Sequence, residues 1–137
     1  MANEIFVDTS GFYALLDKTD DQHRAADRIL RSAQKNKRRF ITTEHILDET
    51  ATLLKARGNG HLLNAFFARL QSSQACRIEW TDPVRFQDGQ AFFLKHADQE
   101  WSFTDCLSFC LMKELKLQDA LTKDSHFHAA GFVALLK

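Results

Sequence analysis

Four carboxylates stand at points of this sequence where short apolar runs end or amphipathic helices begin. They are Asp8, Glu49, Asp105 and Asp124. Clustered carboxylates repel one another, which raises their pKa values, and the usual compensation in proteins is Mg²⁺ or Mn²⁺ bound through oxygen. Such a cation polarises a phosphodiester and generates hydroxide from bound water. The chemistry that these residues predict is metal-assisted hydrolysis, provided that the fold brings them together.

Helix capping explains two of these acids in a simpler way. Asp8 follows the apolar run 5–7 and precedes the amphipathic segment 12–16, so it could accept a hydrogen bond from a backbone N–H of the first helix. Asp105 comes three residues after Ser102, which is the spacing of a capping box. Taken alone, each of these acids is better explained by capping than by catalysis.

The other two acids also have structural alternatives. Asp124 follows a predicted strand and could cap a short helix. Glu49 falls between Ile46 and Leu53 on the apolar stripe of a predicted helix. A carboxylate that faces the interior is costly unless it is paired, hydrogen-bonded or bound to a metal. The alternative is a slightly rotated helix in which Glu49 flanks the stripe.

Hydroxyl side chains accompany the acids and could orient a water molecule or a phosphate. They are Thr9, Ser10, Thr104 and Thr122. The histidines show no ligand spacing on a common helix face, so we assign them to surface or hydrogen-bonded positions. They are His23, His45, His61, His96, His126 and His128.

The elements that must position these side chains alternate between strand and helix. Apolar runs rich in β-favouring residues predict strands at 5–7, 40–42, 76–81, 119–122 and 132–135. Apolar residues at helical spacing predict seven helices. They begin after Asp8, span 22–34, begin at 43 or 44, span 62–70, span 83–94, begin at 102 and span 125–130. Asp20 or Asp21 is the predicted cap of the second helix. This alternation indicates an α/β fold. In a parallel sheet, the four acids would gather at the edge formed by the carboxyl ends of the strands.

Length and composition predict one domain over residues 1–137. The chain is 45% hydrophobic, which is enough for a single core. Lys and Arg together number 18, as do Asp and Glu, so the net charge is zero. A broad basic field is therefore not predicted, and any contact with nucleic acid must be local. The basic run 35–39 precedes a strand, so we place it at the end of the sheet opposite Asp8, as a solvated charge run.

Cysteine content and hydropathy bear on the cellular compartment. Cys76, Cys106 and Cys110 are an odd number and form no C-x-x-C pair, which favours buried, reduced thiols in a reducing cytosol. The sequence shows neither a signal-peptide pattern nor an apolar run long enough to span a membrane. We therefore expect a cytoplasmic protein that has no membrane partner.

The fourth predicted helix has a broad apolar face. Its residues are Leu62, Leu63, Phe66, Phe67 and Leu70. Packing in the core is one explanation. Contact with a partner protein is the other, since a helical hairpin at the side of a small domain often cannot bury so much apolar surface. The sequence leaves both explanations open.

Four segments resemble the PIN domain nucleases, and especially the VapC toxins of toxin–antitoxin pairs. The matching segments are Phe-Val-Asp-Thr-Ser at 6–10, Leu-Asp-Glu-Thr at 47–50, Ser-Phe-Thr-Asp-Cys at 102–106, and Ala-Leu-Thr-Lys-Asp-Ser-His-Phe at 120–127, with Ala-Gly-Phe at 130–132. They occur in the order of the family and span nearly the whole chain.

The resemblance implies a three-layer α/β/α sandwich with a central, mostly parallel sheet of about five strands. It implies that Asp8, Glu49, Asp105 and Asp124 coordinate Mg²⁺ or Mn²⁺ for the hydrolysis of RNA. It also implies a homodimer that a cognate antitoxin protein holds inactive. The chain departs from many relatives after Asp124, because residues 125–127 contain no further acid. The number of bound metal ions is therefore left open.

Two alternatives stand beside a metal-dependent endoribonuclease. A receiver-like signalling domain would gather Asp8, Thr122 and Lys123 around Mg²⁺ at the edge of a sheet. It would also need an acidic pair beside its phosphate-accepting Asp, and the first strand offers only Asp8. A PIN-like module that binds without catalysis could have lost an acid, whereas this chain retains all four.

Overall fold

The computed structural model describes residues 3–72 and 75–136. Its strands are β1 (Ile5–Val7), β2 (Phe40–Thr43), β3 (Cys76–Glu79), β4 (Asp119–Leu121) and β5 (Val133–Ala134). Its α-helices are α1 (Thr9–Leu16), α2 (His23–Lys35), α3 (Glu44–Ala56), α4 (Leu63–Ser72), α5 (Pro83–Lys95), α6 (Phe103–Glu114) and α7 (Ser125–Ala129). A 3₁₀ turn, Gly60–Leu62, precedes α4. None of the described helices is long and apolar enough to cross a membrane.

The five strands pair in parallel, in the order β3-β2-β1-β4-β5. Among the helices, α1 packs on α2 and α3, while α6 packs on α5 and α7. The predicted three-layer α/β/α sandwich with a central parallel sheet is confirmed. This strand order differs from the order 2-1-3-4-5 of the receiver fold. The topology therefore does not support the receiver-like alternative.

The central strand β1 is buried on both faces. Each of its residues is at most 1% exposed, which explains why the strand is a continuous apolar run and does not alternate. Phe6 packs against Phe127, with ring centroids 6.1 Å apart, and Phe127 packs against Phe109 at 5.0 Å. These rings join α6 and α7 to the sheet.

Gly11 allows α1 to lie directly against the end of β4. A Cβ atom at Gly11 would stand 2.0 Å from the carbonyl oxygen of Leu121. Because that neighbour is backbone, it cannot move aside as a flexible side chain would. A glycine at this position therefore sets the distance between β4 and the helix that Asp8 caps.

β3 is shorter than the predicted strand 76–81. It ends at Glu79, because the Thr81 N–H leaves the sheet and donates to both carboxylate oxygens of Glu44, at 3.0 and 2.9 Å. The first residue of α3 thus fixes the chain as it leaves β3. Periodicity along the sequence contains no sign of this distant carboxylate.

The start of α2 also differs from the prediction. Gln22 is the N-cap residue, so the prediction of Asp20 or Asp21 as the cap is wrong. Asp20 Oδ1 accepts a hydrogen bond from the Gln22 N–H at 2.9 Å. Asp20 therefore shapes the turn that comes before the helix.

The apolar face of α4 is divided between core and surface. Phe66 is 2% exposed, and its ring stands edge-on to Phe12, with centroids 5.6 Å apart. Leu62, Leu63 and Leu70 are partly buried against the core. Phe67 is 46% exposed. Packing in the core thus explains most of the face, and Phe67 remains available for a partner.

The basic run lies at the end of the sheet opposite Asp8, as predicted. Residues 35–37 are exposed, as a solvated charge run requires. Arg38 differs, because its guanidinium donates to Asp119 Oδ2 at 2.9 Å and to the Asn3 carbonyl at 2.7 Å. This arginine therefore joins the amino ends of β1 and β4.

All three cysteines are free thiols. Cys106 is buried, and Cys76 and Cys110 are half-buried. Burial raises the pKa of the Cys76 and Cys106 thiols to about 11. Both thiols stay protonated near neutral pH, and a protonated thiol is a poor nucleophile and metal ligand.

Candidate active site

Asp8 ends β1 and caps α1. Its Oδ1 accepts hydrogen bonds from the Gly11 N–H at 3.0 Å and from the Ser10 hydroxyl at 2.8 Å. Its Oδ2 accepts a hydrogen bond of 2.7 Å from the Thr122 hydroxyl, at the carboxyl end of β4. Asp8 is therefore a helix cap and also a carboxylate at the edge of the sheet.

Burial dominates the electrostatics of Asp8, which is 6% exposed. Loss of hydration raises the pKa of its carboxyl from 3.8 to about 6. The hydrogen bonds to Asp8 oppose this rise, and the charge of Asp124 adds to it as the smallest contribution. The direction agrees with the prediction, but burial and not repulsion between acids is the main cause. A nearby cation would offset the cost of keeping this carboxylate ionised.

Glu49 reaches the edge of the sheet from α3, which packs on α1. Thr43 caps α3, so the helix starts directly at the edge of the sheet. Glu49 is exposed, whereas Thr50 beside it is fully buried. Glu49 therefore flanks the apolar stripe, which is the second of the two alternatives that the sequence left open. Thr9 Oγ1 donates to Glu49 Oε1, which connects α3 to the first turn of α1.

Asp105 and Asp124 cap different helices and meet at His126. Asp105 forms the predicted capping box with Ser102 at the start of α6. Asp124 caps α7 by accepting a 2.9 Å hydrogen bond from the His126 N–H. The imidazole Nδ1 of His126 lies 3.3 Å from Asp105 Oδ2 and 3.4 Å from Asp124 Oδ1. One donor atom from each of the three residues lies within 4.8 Å of the other two.

A single cleft of about 230 Å³ contains all four predicted acids. Thr9 and Ser10 also line it, and Thr122 supports Asp8 from the side. Thr104 lies in an adjoining groove with Glu49 and does not line the cleft. Three of the four predicted hydroxyl residues therefore bond directly to the acids.

The PIN domain family model matches residues 5–133, a span that includes all four acids. The chain belongs to the PIN domain family. The family resemblance seen in the sequence is thus confirmed.

Known PIN domain proteins are similar to this chain along most of its length. A 23S rRNA-specific endonuclease of Mycobacterium tuberculosis, VapC20, is 35% identical over 129 residues, which cover 94% of this chain and 95% of VapC20. A VapC ribonuclease of Archaeoglobus fulgidus is 31% identical over 123 residues, which cover 88% of this chain and 77% of that protein.

Solved structures agree with this comparison. The crystal structure of Mycobacterium tuberculosis VapC20, described as a toxin that cleaves the sarcin–ricin loop, has a TM-score of 0.86 at 32% identity. The match covers 98% of this chain and all of VapC20. The structure of FitAcB from Neisseria gonorrhoeae has a TM-score of 0.65 at 18% identity and covers 95% of each chain, which shows a shared fold.

His126 contacts two acids of the cleft, Asp105 and Asp124, and was not singled out from the sequence. We assigned it with the other histidines to surface or hydrogen-bonded positions, because no second ligand shares its helix face. Its neighbours come from α6 and from the loop before α7. Its position in the sequence could have identified it, because it lies two residues after Asp124, in the segment 125–127 that contains no further acid.

Two cations line the same cleft, Arg57 and Lys123. Lys123 follows β4, and its ammonium lies 3.6 Å from Asp20 Oδ2 and 3.4 Å from Asp21 Oδ1. From the sequence, Lys123 was expected at a metal site only for the receiver-like alternative, and Arg57 was not singled out. Their presence brings positive charge to a site that is otherwise strongly acidic.

The donor atoms of this PIN domain cleft fit a divalent cation. Four acidic residues line the cleft, and the imidazole Nδ1 of His126 lies near the carboxylate oxygens of two of them, Asp105 and Asp124. Hard divalent ions prefer such oxygen ligands, and Mn²⁺ also accepts imidazole. The raised pKa of Asp8 is the expected property of a buried carboxylate that lacks a positive partner.

Proposed function

We propose that this PIN domain is a metal-dependent endoribonuclease and the toxin of a toxin–antitoxin pair. The observation that carries the proposal is the convergence of Asp8, Glu49, Asp105 and Asp124 in one cleft. The endonuclease and ribonuclease names of the similar proteins support the same reaction class. A binding module without activity has no need for four carboxylates at the cost that the raised pKa of Asp8 reflects.

Mg²⁺ or Mn²⁺ would be held by the four acids, with His126 beside Asp105 and Asp124. When bound, the ion supplies Lewis-acid polarisation of a phosphodiester and lowers the pKa of a coordinated water. The four acids supply the negative charge that holds it. Thr104, which was predicted as a supporting hydroxyl, lines the adjoining groove, so we do not assign it a role in orienting water or phosphate in the cleft.

The hydroxyl groups of the chain hold the carboxylates in position. Ser10 and Thr122 each donate to a different oxygen of Asp8, so this carboxylate cannot rotate freely. Thr9 in the same way holds one oxygen of Glu49. Fixed carboxylates reduce the reorganisation that is needed when charge develops on the substrate.

Ribosomal RNA is the first substrate that we propose to test. The support is the name of VapC20 as a 23S rRNA-specific endonuclease and its description as a toxin that cleaves the sarcin–ricin loop. The neutral net charge of this chain favours recognition of a local structure over non-specific binding along an RNA.

The test of the proposed activity is incubation of the purified chain with intact ribosomes and with total RNA, in Mg²⁺, in Mn²⁺ and in excess chelator. We expect cleavage at discrete positions in either metal and none in chelator. Asp105→Asn should abolish it, because a neutral amide binds a divalent cation weakly. Asp98→Asn is the matched control, since Asp98 is exposed and does not line the cleft. Equal cleavage in chelator would refute the metal requirement.

A second measurement tests metal binding without activity. Calorimetric titration with Mn²⁺ should show a site in the parent chain and in Asp98→Asn, and a much weaker one in Asp105→Asn. Equal Mn²⁺ affinity in all three proteins would show that the cleft does not hold the ion.

We also propose a homodimer and a cognate antitoxin protein as partners, as expected for a VapC-like toxin. Exposed apolar side chains support protein contacts at two places. One is Phe67 on α4, and the other is Phe86, Phe93 and Leu94 on α5. Sedimentation of the purified chain tests the dimer, and a concentration-independent monomer would contradict it.

A further inference from the structure

Arg57 shares a helix face with the acid Glu49. It follows the last residue of α3 as its C-cap, and Glu49, Leu53 and Arg57 are spaced four residues apart. Residues at this spacing lie above one another along a helix. All three line the cleft. At 1.5 Å per residue, Arg57 lies about 12 Å along the axis from Glu49, at the far end of the same wall.

The Arg57 guanidinium is held over an aromatic ring. It lies 5.1 Å from the centroid of Tyr13, a residue that is 5% exposed. The Tyr13 hydroxyl in turn accepts a hydrogen bond from Asn59 Nδ2. The attraction between the cation and the face of the ring favours this position of the guanidinium, and a guanidinium carries five N–H donors that match the oxygens of a phosphate.

The charge of Arg57 is not neutralised by the protein. Within residues 3–72 and 75–136, no carboxylate lies within ion-pairing distance of its guanidinium, whereas Lys123, the other cation of the cleft, pairs with Asp20 and Asp21. Arg38, Arg77 and Arg85 are each bound to carboxylates elsewhere. Arg57 therefore combines an ordered position with unused hydrogen-bond donors.

We propose that Arg57 binds a backbone phosphate of the RNA next to the one that is cleaved. This inference rests on the proposed endoribonuclease function. The acids at the centre of the cleft repel RNA, so a substrate needs positive charge at the edge of the site. A guanidinium matches two phosphate oxygens with two parallel N–H donors, whereas a lysine offers a point charge. Arg57 is thus a substrate-binding residue that fixes the register of the strand along α3.

A purely structural role for Arg57 predicts different behaviour. If its guanidinium only covers Tyr13, replacing it would change the melting temperature and leave RNA affinity at every salt concentration unchanged. The salt dependence of binding separates the two roles. Each neutralised phosphate of a single strand contributes about 0.7 to the slope of log K against log salt.

The experiment uses the Asp8→Asn chain and a fluorescein-labelled RNA hairpin of the sarcin–ricin loop sequence, in the presence of chelator so that binding is measured where no cleavage is expected. Anisotropy is measured between about 50 and 200 mM salt. Adding Arg57→Gln should weaken binding about tenfold and lower the salt slope by about 0.7. Arg57→Lys should retain the slope with reduced affinity. Arg28→Gln, which removes an exposed arginine of α2 outside the cleft, should change neither.

Cleavage by the otherwise unmodified chain gives a second readout. Arg57→Gln should raise KM for RNA more than it lowers kcat, because the lost contact is made before and during reaction alike. An unchanged affinity and salt slope in Arg57→Gln, with the parent still cleaving RNA, would overturn this inference and leave the proposed function standing. A parent chain that neither binds nor cleaves RNA would overturn both.

Discussion

The Thr122 hydroxyl donates a 2.7 Å hydrogen bond to Oδ2 of Asp8, joining residues that stand 114 positions apart in the chain. The same oxygen of Thr122 accepts a 3.0 Å hydrogen bond from the Asp124 N–H. One threonine at the end of β4 therefore connects the carboxylate that ends β1 with the loop that opens α7. This connection exists because β1 and β4 are parallel neighbours, with Val7 opposite Leu121.

Thr122→Val should raise the pKa of Asp8 further above its present value of about 6. The substitution keeps the shape of the side chain and removes the strongest hydrogen bond that opposes the effect of burial. We expect a loss of about 1 to 3 kcal/mol in the free energy of unfolding. Carbon-13 NMR titration of Asp8 and denaturant unfolding measure the two effects. Thr122→Ser, which keeps the hydroxyl, should preserve the pKa, and equal values in all three proteins would contradict this account.

Asp8→Asn should stabilise the metal-free protein at pH 7 by about 1 kcal/mol. A pKa raised from 3.8 to about 6 means that the fold favours the protonated carboxyl. The stabilisation of the folded state by the protonated Asp8 carboxyl is complete below pH 3.8. About 3 kcal/mol of this stabilisation is lost as the pH rises through 6. Asparagine avoids this loss but forms weaker hydrogen bonds, which offsets part of the gain.

The pH dependence of Asp8→Asn is therefore distinctive. Between pH 7 and pH 4, the parent should gain stability relative to the mutant, and the order of the two proteins should reverse. Saturating Mn²⁺ should stabilise the parent more than the mutant. Thermal melts at both pH values, with chelator and with Mn²⁺, measure this. An Asn variant that is less stable at pH 7 and responds equally to Mn²⁺ would mean that Asp8 acts only as a cap.

His126→Ala should lower the affinity for Mn²⁺ about tenfold or more and lower that for Mg²⁺ less. The imidazole nitrogen lies between Asp105 and Asp124, and nitrogen ligands favour Mn²⁺ over Mg²⁺. Calorimetric titration with each ion gives the two affinities. His128→Ala is the matched control, since His128 lies on the same helix and is exposed. Equal losses for both ions would mean that His126 acts through the shape of the site.

The adjacent residues Phe66 and Phe67 should respond in opposite ways to substitution. Phe66→Ala removes a ring that is 2% exposed and should cost about 3 to 5 kcal/mol of stability. Phe67→Glu changes a side chain that is 46% exposed and should leave the melting temperature nearly unchanged while weakening self-association or antitoxin binding. Sedimentation and co-purification measure assembly. Normal assembly of folded Phe67→Glu would show that Phe67 does not contact a partner.

Local patterns predicted the elements well, because they depend on neighbouring residues. The apolar run at β1, the spacing of α3 and the capping box of Ser102 and Asp105 all follow from short-range backbone preferences. Where a distant group intervened, the prediction was wrong. β3 ends early because Glu44 binds the Thr81 N–H.

The α/β class, the family and the four candidate acids could be predicted from the linear chain, because periodicity and motif order are properties of it. Which side chains meet depends on the packing of the folded chain. The strand order β3-β2-β1-β4-β5 brings Thr122 to Asp8, and the packing of α7 on α6 brings His126 to Asp105. The packing of α3 on α1 likewise places Arg57 over Tyr13 at the rim of the cleft. Such contacts depend on long-range packing, since residues far apart along the chain become neighbours only when the shared core is buried.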